Sequence, residues 1–370
     1  MTVGYDGKRF FHNNTGLGNY SRSLIKVLSS HFPSNEYLLY NPKKSKKYNL
    51  NGYENCVTEI LPSNFFSKKL TNLWRLIFMS HSINKKNITI YHGLSGEIPI
   101  GISQKVKKIV TIHDLIFVRY PHLYSYFDRK IHFWKFKHAA QKADIVIAIS
   151  EQTKKDIAAF LKIKEDKIKV IYQGCNSVYK KTFSETELNT TAVKYNLPEK
   201  YILNVGTIEK RKNLLLLIKS IQNTDRHVVV IGKKTAYYED VKKYIESNNL
   251  VSQVHFLKDL TLIEMAIVYQ KATLFVYPSV FEGFGIPIIE ALYSRTPVIT
   301  SIGSCFAEAG GLNSIYINPK SETELKIAIS TVWDNQEILE NMKQKGFEYV
   351  QKFNDDVLAN NWIKVYQTLI

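Results

Sequence analysis

The chain has 370 residues, 45% of them apolar and 22% charged, and a formal net charge of +17. Its length exceeds the usual size of one hydrophobic core, so two domains are expected, and its composition excludes a disordered or fibrous chain. No apolar run approaches the length of a spanning helix and the first strand follows Met1 directly, while Cys56, Cys175 and Cys305 lack metal-ligand spacing, so the expectation is a cytosolic protein with reduced thiols.

In chain order, the first half shows β-branched and aromatic runs at 2–6, 36–41, 88–93, 108–114, 144–150 and 168–174. The second half shows them at 201–207, 227–232, 254–258, 273–279, 297–301 and 314–318. Near-continuous apolar strands separated by helical patterns mark parallel sheets covered on both faces, so each half reads as a doubly wound α/β domain. The expected boundaries are 1–178 for the first domain and 199–352 for the second, with 179–198 as linker. The closing segment 353–370 offers Val357, Trp362, Val365, Tyr366 and Leu369 as candidate buried positions.

Several motifs fall at the ends of these strands. "NTGLGNYSRSL" (14–24) opens an amphipathic helix, and Gly16 and Gly18 would let backbone N–H groups approach an anion there; a plain tight turn fits that motif equally well. "TIHDLIF" (111–117) sets His113 at a strand end, where a structural and a functional histidine are about equally expected. "NVGTIEKRKNLLLLIKSI" (204–221) places Lys210, Arg211 and Lys212 just before a leucine-rich helix. Cations there oppose the helix dipole, and a bound phosphate would offset that cost. "FEGFGIPIIEAL" (281–292) sets Glu282 in a glycine-flexible turn, before the glycine-bracketed Phe284, and Glu290 seven residues beyond Gly283, expected on the first turn of the next helix.

The charge is lopsided. Residues 1–175 hold 28 Lys+Arg against 12 Asp+Glu, or +16, and residues 176–370 hold 22 against 21, or +1. A basic half beside a neutral half implies an anionic partner for the first domain, nucleic acid or a bilayer surface, unless a lysine-rich proteome accounts for it. A nucleic-acid-binding protein would carry a recognisable binding module, and none is present.

Taken together, "GYDGKRF…TGLGNYSRSL", "TIHDLIF", "ADIVIAIS", "IYQGCN", "VGTIEKRKNL", "YPSVFEGFGIPIIEAL" and "TPVIT" resemble retaining glycosyltransferase family 4, in the bacterial mannosyltransferase-like branch. The resemblance implies the GT-B fold, two doubly wound Rossmann-like domains facing a central cleft, with 353–370 packing back on the first. It implies that Glu282 and the amides of Gly283, Phe284 and Gly285 hold the transferred sugar, and that Glu290 accepts from the nucleotide ribose. Arg211 and Lys212 match the diphosphate-binding pair, Gly16 and Gly18 a glycine loop closing over the diphosphate, and His113 a histidine that orients sugar oxygens.

The implied reaction moves a sugar, first mannose from GDP-mannose, to a glycan or lipid-linked acceptor of bacterial surface polysaccharide synthesis. No metal or other cofactor is expected, and anomeric configuration is retained. Another nucleotide-sugar GT-B enzyme, such as an epimerase, is the alternative. Lys210 stands where the family has proline, Arg295 where it has glycine, and Thr207 where some relatives have arginine. The implied partners are the nucleotide sugar, the acceptor and an anionic membrane surface, with no nucleic acid. Localisation would be cytoplasmic, peripheral to the inner face of the plasma membrane. Two segments mix aromatics with cations and would serve that contact. In 64–86, Phe66, Leu70, Leu73, Trp74, Ile77 and Phe78 share a helical face with Lys68, Lys69 and Arg75 off it; 122–143 is similar. Most of the aromatics in both are expected to pack on the core.

Overall fold

The computed structural model describes residues 1–62 and 74–370. The chain divides into two compact units, Met1–Gly174 with Phe353–Ile370, and Cys175–Lys352.

In the first unit, seven strands form one sheet: β1 (Thr2–Asp6), β2 (Glu36–Tyr40), β3 (Val57–Ile60), β4 (Ile90–Gly93), β5 (Lys107–Ile112), β6 (Ile145–Ala148) and β7 (Ile168–Val170). Their order is β3-β2-β1-β4-β5-β6-β7, and every pairing is parallel. The strand absent from the sequence expectation is β3. Its "VTEI" sets two polar residues between two apolar ones, and only Val57 is buried, as suits an edge position. The helix Gly16–His31 buries Leu24, Ile25 and Leu28 on the sheet.

A line of buried polar groups ties the closing helix Asp355–Gln367 into this unit. Tyr366 Oη lies 3.1 Å from Tyr5 Oη and 2.8 Å from His92 Nδ1. His92 Nε2 reaches Thr111 Oγ1 at 2.8 Å, and Tyr20 Oη meets the same hydroxyl at 3.2 Å. Burial holds the His92 pKa down at about 3, so the imidazole is neutral and each of its nitrogens has a partner.

The second unit holds β8 (Tyr201–Val205), β9 (His227–Ile231), β10 (Val254–Leu257), β11 (Leu274–Tyr277), β12 (Val298–Ser301) and β13 (Ile315–Ile317). These are parallel in the order β10-β9-β8-β11-β12-β13. Strands such as "LFVY" of β11 are buried throughout, because helices cover both faces.

The segment 179–198 is not a free linker. It contributes a 3-10 turn, Ser177–Lys180, and the helix Glu185–Lys194, both inside the second unit. The signal was in the sequence. Ser184 accepts from the Glu187 amide while Glu187 bonds back to the Ser184 amide, a complete capping box.

The two basic aromatic segments divide differently from expectation. Trp74 is buried, but Phe78 is 50% exposed. Arg75 is no rim cation: its side chain is 11% exposed and pairs with Asp6 and, at 2.8 Å, with Glu97. Phe66, Lys68, Lys69, Leu70 and Leu73 lie outside the described residues, as does the side chain of Ile77. The helix Tyr126–Lys142 buries Ala139 and Ala140, yet leaves Tyr126, Phe127, Ile131 and Trp134 more than half exposed.

Candidate functional site

In the second sheet, strand order reverses at β8, which has β9 on one side and β11 on the other. Loops leaving two parallel strands at such a point diverge to opposite faces and leave a crevice between them. The loop after β8 carries Arg211 and Lys212 in a 3-10 turn, Lys210–Lys212, followed by Asn213 in the left-handed region at φ +59°. This turn precedes the helix Leu214–Ser220 rather than forming its first residues. The loop after β11 carries Glu282. The two are stitched together by Val280 N donating to Arg211 O at 2.8 Å and Asn213 Nδ2 donating to Pro278 O at 3.1 Å.

Glu282 is 8% exposed and is the hub of this crevice. Its Oε1 lies 2.8 Å from Arg211 Nη1 and 2.6 Å from Lys212 Nζ. It also accepts from Ser279 Oγ at 2.7 Å and Tyr277 Oη at 3.1 Å. Lys212 donates to the Tyr277 hydroxyl as well, and Arg211 to the Phe281 carbonyl. Arg211 has one further partner, Glu209, at 2.6 Å. Burial alone would raise the Glu282 pKa; Lys212 and Arg211 outweigh it and hold the carboxyl at about 2. The carboxylate is therefore ionised throughout the physiological range.

The turn itself is latched from the turn that follows β12. Ser304 Oγ accepts from Glu282 N at 3.3 Å and lies 3.0 Å from Glu282 O. The buried Cys305 thiol donates to the Phe284 carbonyl at 2.9 Å. Gly285 sits at φ +104°, where a side chain would be strained, and caps the helix Ile286–Tyr293. Sequence reasoning missed Tyr277, Ser279, Ser304 and Cys305. The signal for the first two was a tyrosine and a serine closing an otherwise apolar strand, "LFVYPS".

Glu290 stands at the fifth position of that helix, one turn deeper than expected, with Pro287 second. It accepts from Tyr269 Oη at 3.0 Å. Burial raises its pKa to about 7, only partly opposed by that hydrogen bond. The two glutamates therefore differ sharply: one is saturated by cations, the other has, among the described residues, one neutral donor, to Oε2.

The remaining expected residues belong to the first unit. His113 follows β5, with Nε2 2.9 Å from the Leu94 carbonyl and Nδ1 3.0 Å from Gln173 Nε2. A carbonyl only accepts and an amide NH₂ only donates, so Nε2 carries the proton and Nδ1 accepts. Burial lowers its pKa to about 4, and the ring is neutral. Gln173 is the partner that the sequence did not single out, although "IYQGCN" contains it. Gly16 and Gly18 open the helix Gly16–His31 and differ in kind. A Cβ on Gly18 would sit 1.9 Å from the Asn13 carbonyl oxygen, whereas one on Gly16 would meet nothing within 4 Å. The fold itself needs only Gly18 bare.

The model of Glycosyl transferases group 1 matches residues 187–349, and that of Glycosyltransferase Family 4 matches residues 18–177. O-antigen chain mannosyltransferase RfbU of Salmonella typhimurium is 30% identical over 260 residues, 69% of this chain and 68% of that protein. O-antigen chain mannosyltransferase B of Escherichia coli is 25% identical over 288 residues, 76% of this chain and 74% of its own length. Anabaena HepE, solved in complex with UDP and glucose, matches all of both chains with a TM-score of 0.79 at 15% identity. The solved likeness establishes the fold, that of the GT-B glycosyltransferases.

The contrast between the two glutamates generates a pH signature. The folded-state pKa of Glu290 lies above its ordinary value of 4.5, so its neutral form is favoured in the native state. Stability relative to a Glu290→Gln variant should be highest below about pH 4.5 and fall as pH rises toward 7. Above that it should stay flat, with a total change of at most about 3 kcal/mol. Denaturant melts of both proteins across pH 4.5–8 measure the difference, and a pH-independent gap would show that Glu290 is not buried in this way.

Proposed function

The chain belongs to glycosyltransferase family 4, and on that premise we propose that it transfers mannose from GDP-mannose to a glycan or lipid-linked acceptor during O-antigen-type polysaccharide synthesis. The observation that carries this reading is the Arg211–Lys212–Glu282 cluster at the reversal point of the second sheet. The two O-antigen mannosyltransferases named above suggest the sugar and the product class.

In this proposal the diphosphate of the donor lies against Arg211 and Lys212. Glu209, 37% exposed, is the partner of Arg211 that an incoming phosphate displaces, while buried Glu282 keeps both cations in place. Charge grows on the leaving phosphate as the sugar departs, and cations positioned beforehand stabilise it most at that moment. The ribose hydroxyls donate to Glu290, which has the acceptor capacity they need and is ionised by their arrival. Glu282 and the backbone of Gly283, Phe284 and Gly285 line the sugar.

Glu282 is a poor nucleophile, since four donors converge on one of its oxygens and its basicity is low. Retention then follows from attack on the same face of the sugar, with the acceptor proton passing to the leaving phosphate. The cations stand in this scheme where other enzymes use a metal, and no metal or other cofactor takes part. His113, with both nitrogens engaged, orients its surroundings and transfers no proton.

Screening a panel of nucleotide sugars for product formation tests the donor, with GDP-mannose expected to be turned over fastest. Arg211→Ala and Lys212→Ala should each slow transfer by about 10²–10³. Near-normal transfer by the double variant would overturn the assignment.

We further propose peripheral attachment to the inner face of the plasma membrane through the first unit. Among the described residues no helix is long and apolar enough to cross a membrane. The support is the exposed Phe127 and Ile131 on a helix that also carries Arg129, Lys130 and Lys137. Cations near an anionic surface contribute about 1 kcal/mol each, and the contribution is screened by salt. Co-sedimentation with anionic vesicles should exceed that with neutral ones, fall at high salt, and drop in a Phe127→Ser, Ile131→Ser variant. Equal binding to both vesicle types would contradict it.

A further inference from the structure

The first sheet has its own reversal point, at β1, which lies between β2 and β4. The end of β1 and the short helix Lys8–His12 after it carry Asp6, Lys8 and Arg9 on one side, and the loop after β4 carries Glu97 on the other. Together with the helix Tyr126–Lys142 they enclose a cavity of about 490 Å³. The position is where an open α/β sheet binds ligands, and nothing in the donor chemistry above uses it.

The charges in this cavity are unequal. Asp6 is covered by Arg75, and Glu97 by Arg75 at 2.8 Å and Lys135 at 3.2 Å. Both carboxylates are thus already answered. Lys8 and Arg9 also face the cavity, and among the described residues neither has a carboxylate within ion-pairing distance. Four cations against two carboxylates leave two positive charges uncompensated in a half-buried space. Burial lowers the Lys8 pKa and the neighbouring charges of Arg75 and Arg9 lower it further, a cost that an anion placed here would offset. Below them, the wholly buried Tyr91 hydroxyl has no hydrogen-bond partner among the described residues.

The opposite wall is aromatic. The Trp134 indole stacks on the His138 ring with centroids 5.5 Å apart and planes 16° from parallel. Trp134 is 54% exposed, so a broad ring face remains uncovered beside the cations. A flat aromatic face suits the C–H face of a sugar ring, and Glu97 has lone pairs left for sugar hydroxyls. A neutral glycan would use the aromatic wall but would leave Lys8 and Arg9 unanswered.

We propose that this cavity is a subsite for a phosphate-bearing sugar, with the phosphate against Lys8 and Arg9 and the sugar ring on Trp134. The inference rests on the proposed transferase function, in which this ligand is the acceptor. The phosphate can belong to a free sugar phosphate or to a lipid diphosphate-linked sugar; the chemistry recognised is the same.

The chain supplies its own reporter. Of its four tryptophans, Trp74, Trp333 and Trp362 are 4%, 7% and 2% exposed, so acrylamide quenching of the fluorescence reads Trp134. The full chain, without donor, is titrated separately with glucose 1-phosphate, a short-prenyl diphosphate glucose, methyl glucoside and inorganic phosphate. Glucose 1-phosphate or the prenyl diphosphate sugar should shield Trp134 from acrylamide, and whichever binds tighter identifies the source of the phosphate. Methyl glucoside should bind at least tenfold more weakly. A Lys8→Gln, Arg9→Gln variant, confirmed as folded by an unchanged melting temperature, should lose at least tenfold in affinity for the phosphorylated sugars. A Lys8→Arg variant should retain it.

Shielding by methyl glucoside equal to that by glucose 1-phosphate, no shielding by any phosphorylated sugar, or undiminished shielding in the folded double variant would each overturn the proposal. Nucleoside diphosphate binding to the second unit is measured in parallel. Its retention alongside a negative result here would remove this subsite and leave the donor reading standing.

Discussion

One carboxylate oxygen, Oε1 of Glu282, organises the second unit. Arg211, Lys212, Tyr277 and Ser279 all converge on it within 3.1 Å. Two cations and a carboxylate withdrawn from water are expensive to desolvate, and such a cluster survives only when each member is answered. Here the answer comes from three chain segments at once: the loop after β8, the end of β11, and the Ser304–Cys305 latch. The result is a pair of cations fixed in place before any ligand arrives. The other carboxylate partner of Arg211, Glu209, is the one nearer solvent.

Both sheets reverse their strand order partway across. A parallel sheet whose order reverses leaves a crevice where the connecting loops part, and each unit loads that crevice with charge. In the second unit the charges close on one another around Glu282. In the first, Arg75 neutralises Asp6 and Glu97, and Lys8 and Arg9 are left over. The basic character of the first half of the sequence is therefore concentrated at particular places, including this cavity and the helix bearing Trp134.

Much of this was legible in the sequence. The apolar strand runs stand where the strands lie, because a parallel strand buried on both faces can tolerate few polar residues. What escaped was β3, a short edge strand with Thr58 and Glu59 at its centre, and the helix Glu185–Lys194, whose capping box lay in a stretch that reads as polar linker. Arg211 with Lys212, and separately Glu282, drew attention because cations before a buried leucine run and a glutamate in a glycine-rich turn are locally unfavourable without a purpose, but that Glu282 pairs with both cations was not legible. Arg75 was misjudged, since periodicity places a residue on a helix face but does not reveal a buried Asp6 sixty-nine positions earlier. Glu290 was placed a turn too early because the helix begins at Ile286, and its single tyrosine partner comes from a distant helix.

The claim on which the rest depends is that Arg211 and Lys212, held by Glu282, form the diphosphate site. Calorimetric titration of GDP and of guanosine into the wild-type chain and an Arg211→Ala, Lys212→Ala variant tests it most directly. The wild type should prefer GDP over guanosine by at least about 100-fold, in keeping with two charge-assisted contacts of roughly 1.5–3 kcal/mol each. The variant should keep its affinity for guanosine and lose that preference. A variant that still prefers GDP to the same degree would contradict the account.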